Sequence, residues 1–286
     1  MNGILIINKE KGYTSRDIIN KLIKIFNTKK IGHTGTLDPM AEGVLVVCIG
    51  KALKMCEELS SKEKEYTASV ILGLSTDTLD TDKNATIIKN VPCYKTKEEI
   101  EKVLLSYNKT YLQEVPKYSA VKVNGKKLYE YARENKAVEL PKKEVTISDM
   151  KLINVTYNNN QTEFEFSCKV SKGTFIRSLI RDIGESLNVP STMNKLKRIK
   201  QGQFDIKDSY TLKDIENGNY KLLTIQEVFK DIPQKELSKE ELFKVKNGAP
   251  IDKMDTNRAF ILDKEGNLLA LYQNDRDKSK AYKMFI

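Results

Sequence analysis

The spacing of apolar residues changes several times along the chain, and each change marks an element. "GILIIN" (3–8) reads as a strand, and "TSRDIINKLIKIF" (14–26) switches to a helical period with Ile18, Leu22 and Phe26 on one stripe. Thr14 followed by Asp17 supplies a capping pattern for that helix. "GVLVVCIG" (43–50) is apolar throughout and predicts a strand buried on both faces. A short helix is expected near "ALKMCEEL" (52–59). In "EYTASVILG" (65–73), Tyr66, Ala68, Val70 and Leu72 alternate with more polar residues, as in a half-exposed strand. After the acidic turn "STDTLDTDKN" (75–84), "TKEEIEKVLLSY" (96–107) is a second capped helix, with Thr96 and Glu99 as its pair. "YSAVKVNGKKLYEYAR" (118–133) predicts a strand, an Asn-Gly turn and a helix start. "TEFEFSCKV" (162–170) alternates as a strand and passes through "SKGT" into the helix "FIRSLIRDIGESL" (175–187). Strands grouped in hairpins with helices between them, and no regular βαβ repeat, predict an α+β domain on a central mixed or antiparallel sheet.

From about residue 233 the texture changes to a charged helix, "SKEELFKVKNG", and short strands around "RAFILD" and "LLALYQN" joined by the turn "KEGN". The expected division is a large domain over residues 1–232 and a small β domain over 233–286. A linker is expected near "DIPQKELS" (231–238). No repeat of fixed period occurs, and low complexity is confined to spots such as "NNN" at 158–160.

Composition narrows the partner. Forty-nine Lys and Arg against 39 Asp and Glu give a formal charge of +10. That balance favours a polyanion such as nucleic acid, or a membrane surface; a lysine-rich proteome would produce the same balance. Four cysteines (48, 56, 93 and 168) have no C-x-x-C spacing, and there is a single histidine, so neither a metal cluster nor a disulfide is expected. No apolar run approaches membrane-spanning length, and the amino terminus reads as a strand rather than a signal peptide, so a cytoplasmic protein is expected.

The chemistry must come from few groups. No G-x-S-x-G elbow, Walker loop or G-x-G-x-x-G occurs, and no second histidine completes a relay. The stretch "IGHTGTLDPMAEG" (31–43) sets one carboxylate, Asp38, in a loop of Gly32, Gly35, Pro39 and Gly43. Proline pushes the residue before it out of the helical region, and the glycines are expected to allow backbone shapes closed to other residues. Such a loop can fix a side chain for function, and Asp before Pro is also an ordinary turn signal. A carboxylate with arginines, tyrosines and a basic surface suits nucleophilic or electrostatic chemistry at a sugar carbon better than acyl transfer.

Taken together, these segments resemble the TruB-type tRNA pseudouridine synthases. The central match is "GHTGTLDPMAEGVLVV". In order along the chain stand "GILIINKEKGYTS", "KEYTASVILGLSTDTLD", "VPKYSAVKVNGKKLYEYAR", "SKGTFIRSLIRDIG" and "LKRIKQGQF". The resemblance covers residues 1 to about 215 well and the tail weakly, where "VKNGAPI" fits the entrance of an RNA-binding PUA-like domain. It implies isomerisation of uridine 55 in the T loop of tRNA to pseudouridine, with no cofactor and no metal, by a monomer that binds the T stem-loop of tRNA and needs no membrane and no protein partner. By the same resemblance Asp38 is the catalytic carboxylate and Arg177 its ion-pair partner. Tyr66 stacks on the flipped uracil, His33 fills the gap left in the RNA stack, and Leu196 and Phe175 line the pocket. Read without the resemblance, Arg177 is a solvated helix residue, Tyr66 a strand-edge aromatic, His33 a loop residue and Leu196 plain core.

The sequence departs from the family pattern at four positions. Asn8 and Glu10 replace Asp and Pro around Lys9, Phe175 replaces a tyrosine and so removes a hydroxyl, and Lys83 replaces a glycine in the acidic turn. Two competing readings are a non-catalytic RNA-binding or RNA-folding module and a nucleotide or sugar hydrolase. The second would want another acid paired across the bond.

Overall fold

The computed structural model describes residues 1–158 and 160–286, so the middle of the 158–160 asparagine run lies outside the described residues. Among these, nine strands form one sheet: β1 (Gly3–Lys9), β2 (Ile31–His33), β3 (Glu42–Ile49), β4 (Lys64–Leu72), β5 (Thr110–Glu114), β6 (Lys142–Asn158), β7 (Gln161–Val170), β8 (Ser191–Gln201) and β9 (Phe204–Asp205). Their order is β1-β3-β8-β4-β7-β6-β5, with β2 beside β3 and β9 beside β8. Every contact is antiparallel except that of β8 with β3, where Lys197 lies opposite Glu42 and Arg198 opposite Gly43. The fold is α+β on a mixed sheet.

The uninterrupted apolar run of β3 has a direct cause: both of its faces are covered. Leu45, Val47 and Ile49, with Leu5 and Ile7 of β1, join the larger core, which includes Ile18 and Leu22 of the Ser15–Phe26 helix and Leu179, Ile180 and Ile183 of the Ile176–Ser186 helix. On the other face, Val44, Val46 and Cys48, with Ile4 and Ile6, pack against Phe260, Leu271 and Phe285 from the carboxy-terminal part of the chain. Burying each such aliphatic or aromatic side chain contributes about 1.5–3 kcal/mol. Strand β4 differs from expectation. It is central, between β8 and β7, and Ser69 on its polar side is buried along with Tyr66, Ala68, Val70 and Leu72.

The expected helices form at Ser15–Phe26 and Lys97–Ser106, each closed by a full capping box, Thr14 with Asp17 and Thr96 with Glu99. The Asn-Gly turn closes the hairpin of Lys122–Val123 with Lys126–Lys127, both turn residues having positive φ, and leads into the Leu128–Arg133 helix. Residues near the expected linker are themselves a strand. Gln234–Glu236 pairs in parallel with Arg258–Leu262, and Leu268–Asp275, Lys278–Met284 and Ile251–Asp252 complete a second, five-stranded sheet. No helix among the described residues is long and apolar enough to cross a membrane.

Candidate active site

The loop carrying Asp38 is pinned on both sides. The Ser15 hydroxyl, in the first turn of the Ser15–Phe26 helix, accepts the Leu37 N–H at 2.8 Å and donates to the Leu37 carbonyl at 3.1 Å. The Pro39 carbonyl accepts the Gly12 N–H at 2.8 Å and Lys9 Nζ at 3.4 Å. The Asp38 carbonyl closes a turn with the Ala41 N–H at 3.0 Å, and Leu37 and Met40 anchor the loop in the core. Lys9 is fully buried, its ammonium also donating to the carbonyls of Glu10 and Tyr13. Burial pushes it down to about 8, and the charge of Asp38 opposes that shift.

Of the loop's glycines, only Gly43 has a positive φ, +101°, and a Cβ there would stand 2.2 Å from the Arg198 carbonyl oxygen. Gly32 serves close packing instead, since a Cβ would come within 2.9 Å of Leu53, and Gly35 has room for one. Backbone freedom is therefore needed at one of the three positions, where β3 meets β8.

Asp38 Oδ2 lies 2.9 Å from Arg177 Nε, an ion pair between a carboxylate about one-third exposed (36%) and a buried guanidinium. Arg177 is not a solvated helix arginine. Its Nη1 donates to the Thr78 carbonyl at 2.9 Å and its Nη2 to the Tyr118 carbonyl at 3.0 Å. Such charge-assisted bonds fix the fork in one orientation. A second carboxylate, Asp80, is buried with Oδ2 at 3.9 Å from Arg177 Nε. Burial raises its pKa, against bonds from the Thr78 hydroxyl (2.6 Å) and the Asp82 N–H (3.2 Å) and the attraction of Arg177. In the sequence Asp80 is one acid of an acidic turn, and nothing in "STDTLD" signals its burial.

Asp38, Arg177, His33, Tyr66, Phe175 and Leu196 all line one cleft of about 900 Å³. Tyr66 and Leu196 are buried in its wall on the paired strands β4 and β8, where Leu196 stands opposite Ala68. The Tyr66 hydroxyl accepts Arg198 Nη1 at 3.4 Å. Arg198 is buried in turn and bonds the carbonyls of Val44 (2.6 Å) and Gly35 (3.0 Å), so it ties the Asp38 loop to β4. Phe175 precedes the Ile176–Ser186 helix and is held by a bond from its N–H to Gln113 Oε1 at 2.8 Å. Tyr118 and Tyr129 also face the cleft, so Tyr66 is not its lone phenol, and Arg16, Lys122, Arg133 and Lys143 bring positive charge to its lining. Ser15, Tyr118 and Arg198, like Asp80, were not picked out from the sequence, because their parts depend on contacts across loops. Among the described residues, no group of three or more His, Cys, Asp and Glu is placed to hold a metal ion.

A pinned carboxylate paired to a buried arginine can serve as nucleophile or base toward a group seated in the cleft. Residues 23–176, more than half of the chain, match the family model described as "TruB family pseudouridylate synthase (N terminal domain)". The chain belongs to the TruB family. As a TruB-family pseudouridylate synthase it is an isomerase. Residues 177–229 match "tRNA pseudouridylate synthase B C-terminal domain". Proteins named tRNA pseudouridine synthase B are similar over nearly the whole length. One from Bacillus cereus is 39% identical over 285 residues, covering 96% of this chain and 93% of the relative, and one from Lactobacillus johnsonii is 40% identical over 280 residues, covering 96% and 94%. The fold is shared with the chain matched in "Crystal Structure of a Cbf5-Nop10-Gar1 Complex", with a TM-score of 0.71 and 21% identity over 99% of this chain and 85% of that one.

Proposed function

We propose that this TruB-family enzyme isomerises uridine 55 in the T loop of tRNA to pseudouridine, with Asp38 as the catalytic carboxylate and no cofactor. The observation that supports this most is the Asp38–Arg177 ion pair at 2.9 Å, held in a cleft that also gathers Tyr66, His33, Phe175 and Leu196. The similar proteins from Bacillus cereus and Lactobacillus johnsonii are named for tRNA as their substrate.

In this reading the target uridine leaves its stack, at a cost of a few kcal/mol, and enters the cleft between apolar and aromatic walls. Tyr66 stacks on the uracil face, an interaction worth roughly 1–3 kcal/mol. Leu196 and Phe175 exclude water, and His33 occupies space vacated in the RNA stack. The bond from ribose C1′ to N1 breaks, the base turns, a bond from C1′ to C5 forms, the C5 proton is lost and N1 gains one, so that the atoms of uridine and pseudouridine balance. Asp38 assists either by attacking the ribose or by taking a proton from it. Arg177 holds the carboxylate toward the cleft while its other nitrogens are fixed by the Thr78 and Tyr118 carbonyls. The buried acid Asp80, 3.9 Å from the same Arg177 Nε, adds a second negative charge that attracts the guanidinium.

Residues 1–232 form the catalytic domain in this account, and 233–286 a PUA-like RNA-binding domain. The protein works in the cytoplasm as a monomer on the T stem-loop, without an obligatory protein partner. Pseudouridine mapping on unmodified tRNA incubated with the purified protein tests the site. Product at uridine 55 is expected, formed equally in the presence of a chelator, and product elsewhere or none would overturn the proposal.

A further inference from the structure

Strand β5 is joined to the helix that carries Arg177 by a buried amide. Gln113 Oε1 accepts the Phe175 N–H at 2.8 Å, and its Nε2 donates to the Tyr111 hydroxyl oxygen at 2.9 Å. The first N–H groups of a helix have no partner within it, and Gln113 meets one of them from another element. The Tyr111 hydroxyl donates in turn to Asp182 Oδ2 at 2.9 Å, while Arg181 Nε and Nη2 hold Asp182 Oδ1 at 3.1 and 2.8 Å. A carboxylate only accepts, so the phenol's one hydrogen is committed to Asp182 and its oxygen is left to accept. Burial, and then the charge of Asp182, push the phenol's pKa up and keep that hydrogen in place. Only the NH2 end of Gln113 suits such an oxygen, and this turns the carbonyl end toward Phe175. A reversed amide would set two donors against each other at Phe175 and two acceptors at Tyr111.

The bond lies close to Arg177 on both sides. Phe175 precedes it by two residues, and the chain running on from Gln113 through buried Val115 reaches Tyr118, whose carbonyl accepts Arg177 Nη2 at 3.0 Å. The Gln113–Phe175 bond therefore closes a short frame around the guanidinium that meets Asp38 at 2.9 Å. None of Gln113, Tyr111 and Asp182 lines the cleft. We infer that Gln113 is a positioning residue for the reaction: oriented by Asp182 through Tyr111, it fixes Phe175 and the start of the helix, and through them the aim of Arg177 at Asp38. This rests on the proposed function and deepens it.

Three variants test the relay. Gln113→Met keeps much of the side chain's length without its polar ends, and Tyr111→Phe removes the group that orients the amide. Tyr107→Phe is the matched control, removing a hydroxyl that bonds Ser186 at 3.0 Å at the far end of the same helix. Nitrogen-15 NMR of the full-length protein without RNA reads the Arg177 Nε–H resonance and the hydrogen exchange of the Phe175 amide. Gln113→Met and Tyr111→Phe should shift the resonance and speed the exchange, and Tyr107→Phe should do neither. In single turnover at saturating T-stem-loop RNA, Gln113→Met should be slower by between about tenfold and 100-fold, the scale of a misaimed reacting group. Tyr111→Phe should lose between about twofold and tenfold, the range for one hydrogen bond. Tyr107→Phe should react like wild type, and all three should bind RNA within about threefold of it, since the loss is of aim and not of binding. An unshifted Arg177 resonance in Tyr111→Phe would overturn the inference. So would equal slowing by the two Tyr→Phe variants, or affinity falling as far as the rate. If Gln113→Met fails to fold, the comparison of Tyr111→Phe with Tyr107→Phe decides alone. The NMR readings need no reaction, so absence of pseudouridine from the wild-type assay would remove the proposed function and leave the relay to be judged by them.

Discussion

Replacing Arg177 by lysine keeps a positive charge and removes the planar fork. In the wild type three nitrogens are engaged, with Asp38 Oδ2 at 2.9 Å, the Thr78 carbonyl at 2.9 Å and the Tyr118 carbonyl at 3.0 Å. An ammonium on a shorter stem can hold one of these three directions and leaves two groups without their partner. Hydrogen bonds to a charged group contribute about 1.5–3 kcal/mol each, so two lost bonds set an upper range of about 3–6 kcal/mol. Water entering from the cleft restores part of this, and a destabilisation of about 3 kcal/mol is expected. The rate should suffer more, because Asp38 loses the contact that aims it, and an error of about 1 Å in a reacting group can cost on the order of 10²-fold. Urea unfolding measures the first quantity, and single-turnover pseudouridine formation on a T-stem-loop RNA the second. A variant within threefold of the wild-type rate and within 1 kcal/mol of its stability would show that the fork does not position Asp38.

Tyr66→Leu should weaken RNA binding by roughly 1–3 kcal/mol through lost stacking. Tyr66→Phe should bind normally yet turn over slowly, because Arg198 donates to the phenol oxygen and leaves the phenol's own proton free to be given to the substrate; a wild-type single-turnover rate for Tyr66→Phe would leave the ring as a platform only. Binding should fall steeply with salt, and Lys143→Ala, at the lining of the cleft, should reduce the log–log slope by roughly one; an unchanged slope would remove Lys143 from the phosphate contacts. Lys9 sits near 8 in the folded protein against an ordinary 10.5, so between those values the unfolded chain binds more protons and stability rises with pH. Below 8 both states are protonated and this contribution to the slope vanishes. The stability difference between wild type and Lys9→Met should therefore change between pH 8 and 10 in the wild type's favour, and a flat difference would contradict the assignment.

Where one period ran unbroken, the elements could be read from the residues: β1, the capped helix at Ser15–Phe26, β3 and β7 all form as their patterns predict. The 17-residue strand β6 could not, because two register shifts break its alternation. Val145 and Ile147 point inward on one parity, and Met150 on the other after the first shift, where Asp149 takes a positive φ. Strand β8 is hidden by its lysines and by two similar shifts. The candidate site divided in the same way. Asp38 and Arg177 were legible through their motifs, whereas Asp80 became a buried partner only because the acidic turn lies along β8, where Asp80 bridges Met193, and meets Arg177. The second sheet was underread because a strand of three residues, Gln234–Glu236, is too short to show a period.

The most direct test of the central claim compares wild type with Asp38→Asn on unmodified T-stem-loop RNA, mapping pseudouridine at each uridine and measuring affinity in parallel. The amide keeps nearly the shape of the carboxylate but can act neither as nucleophile nor as base. The account predicts pseudouridine at position 55 for wild type, none for the variant, and affinities within about tenfold of each other. Product formed by Asp38→Asn at a rate near that of wild type would contradict it.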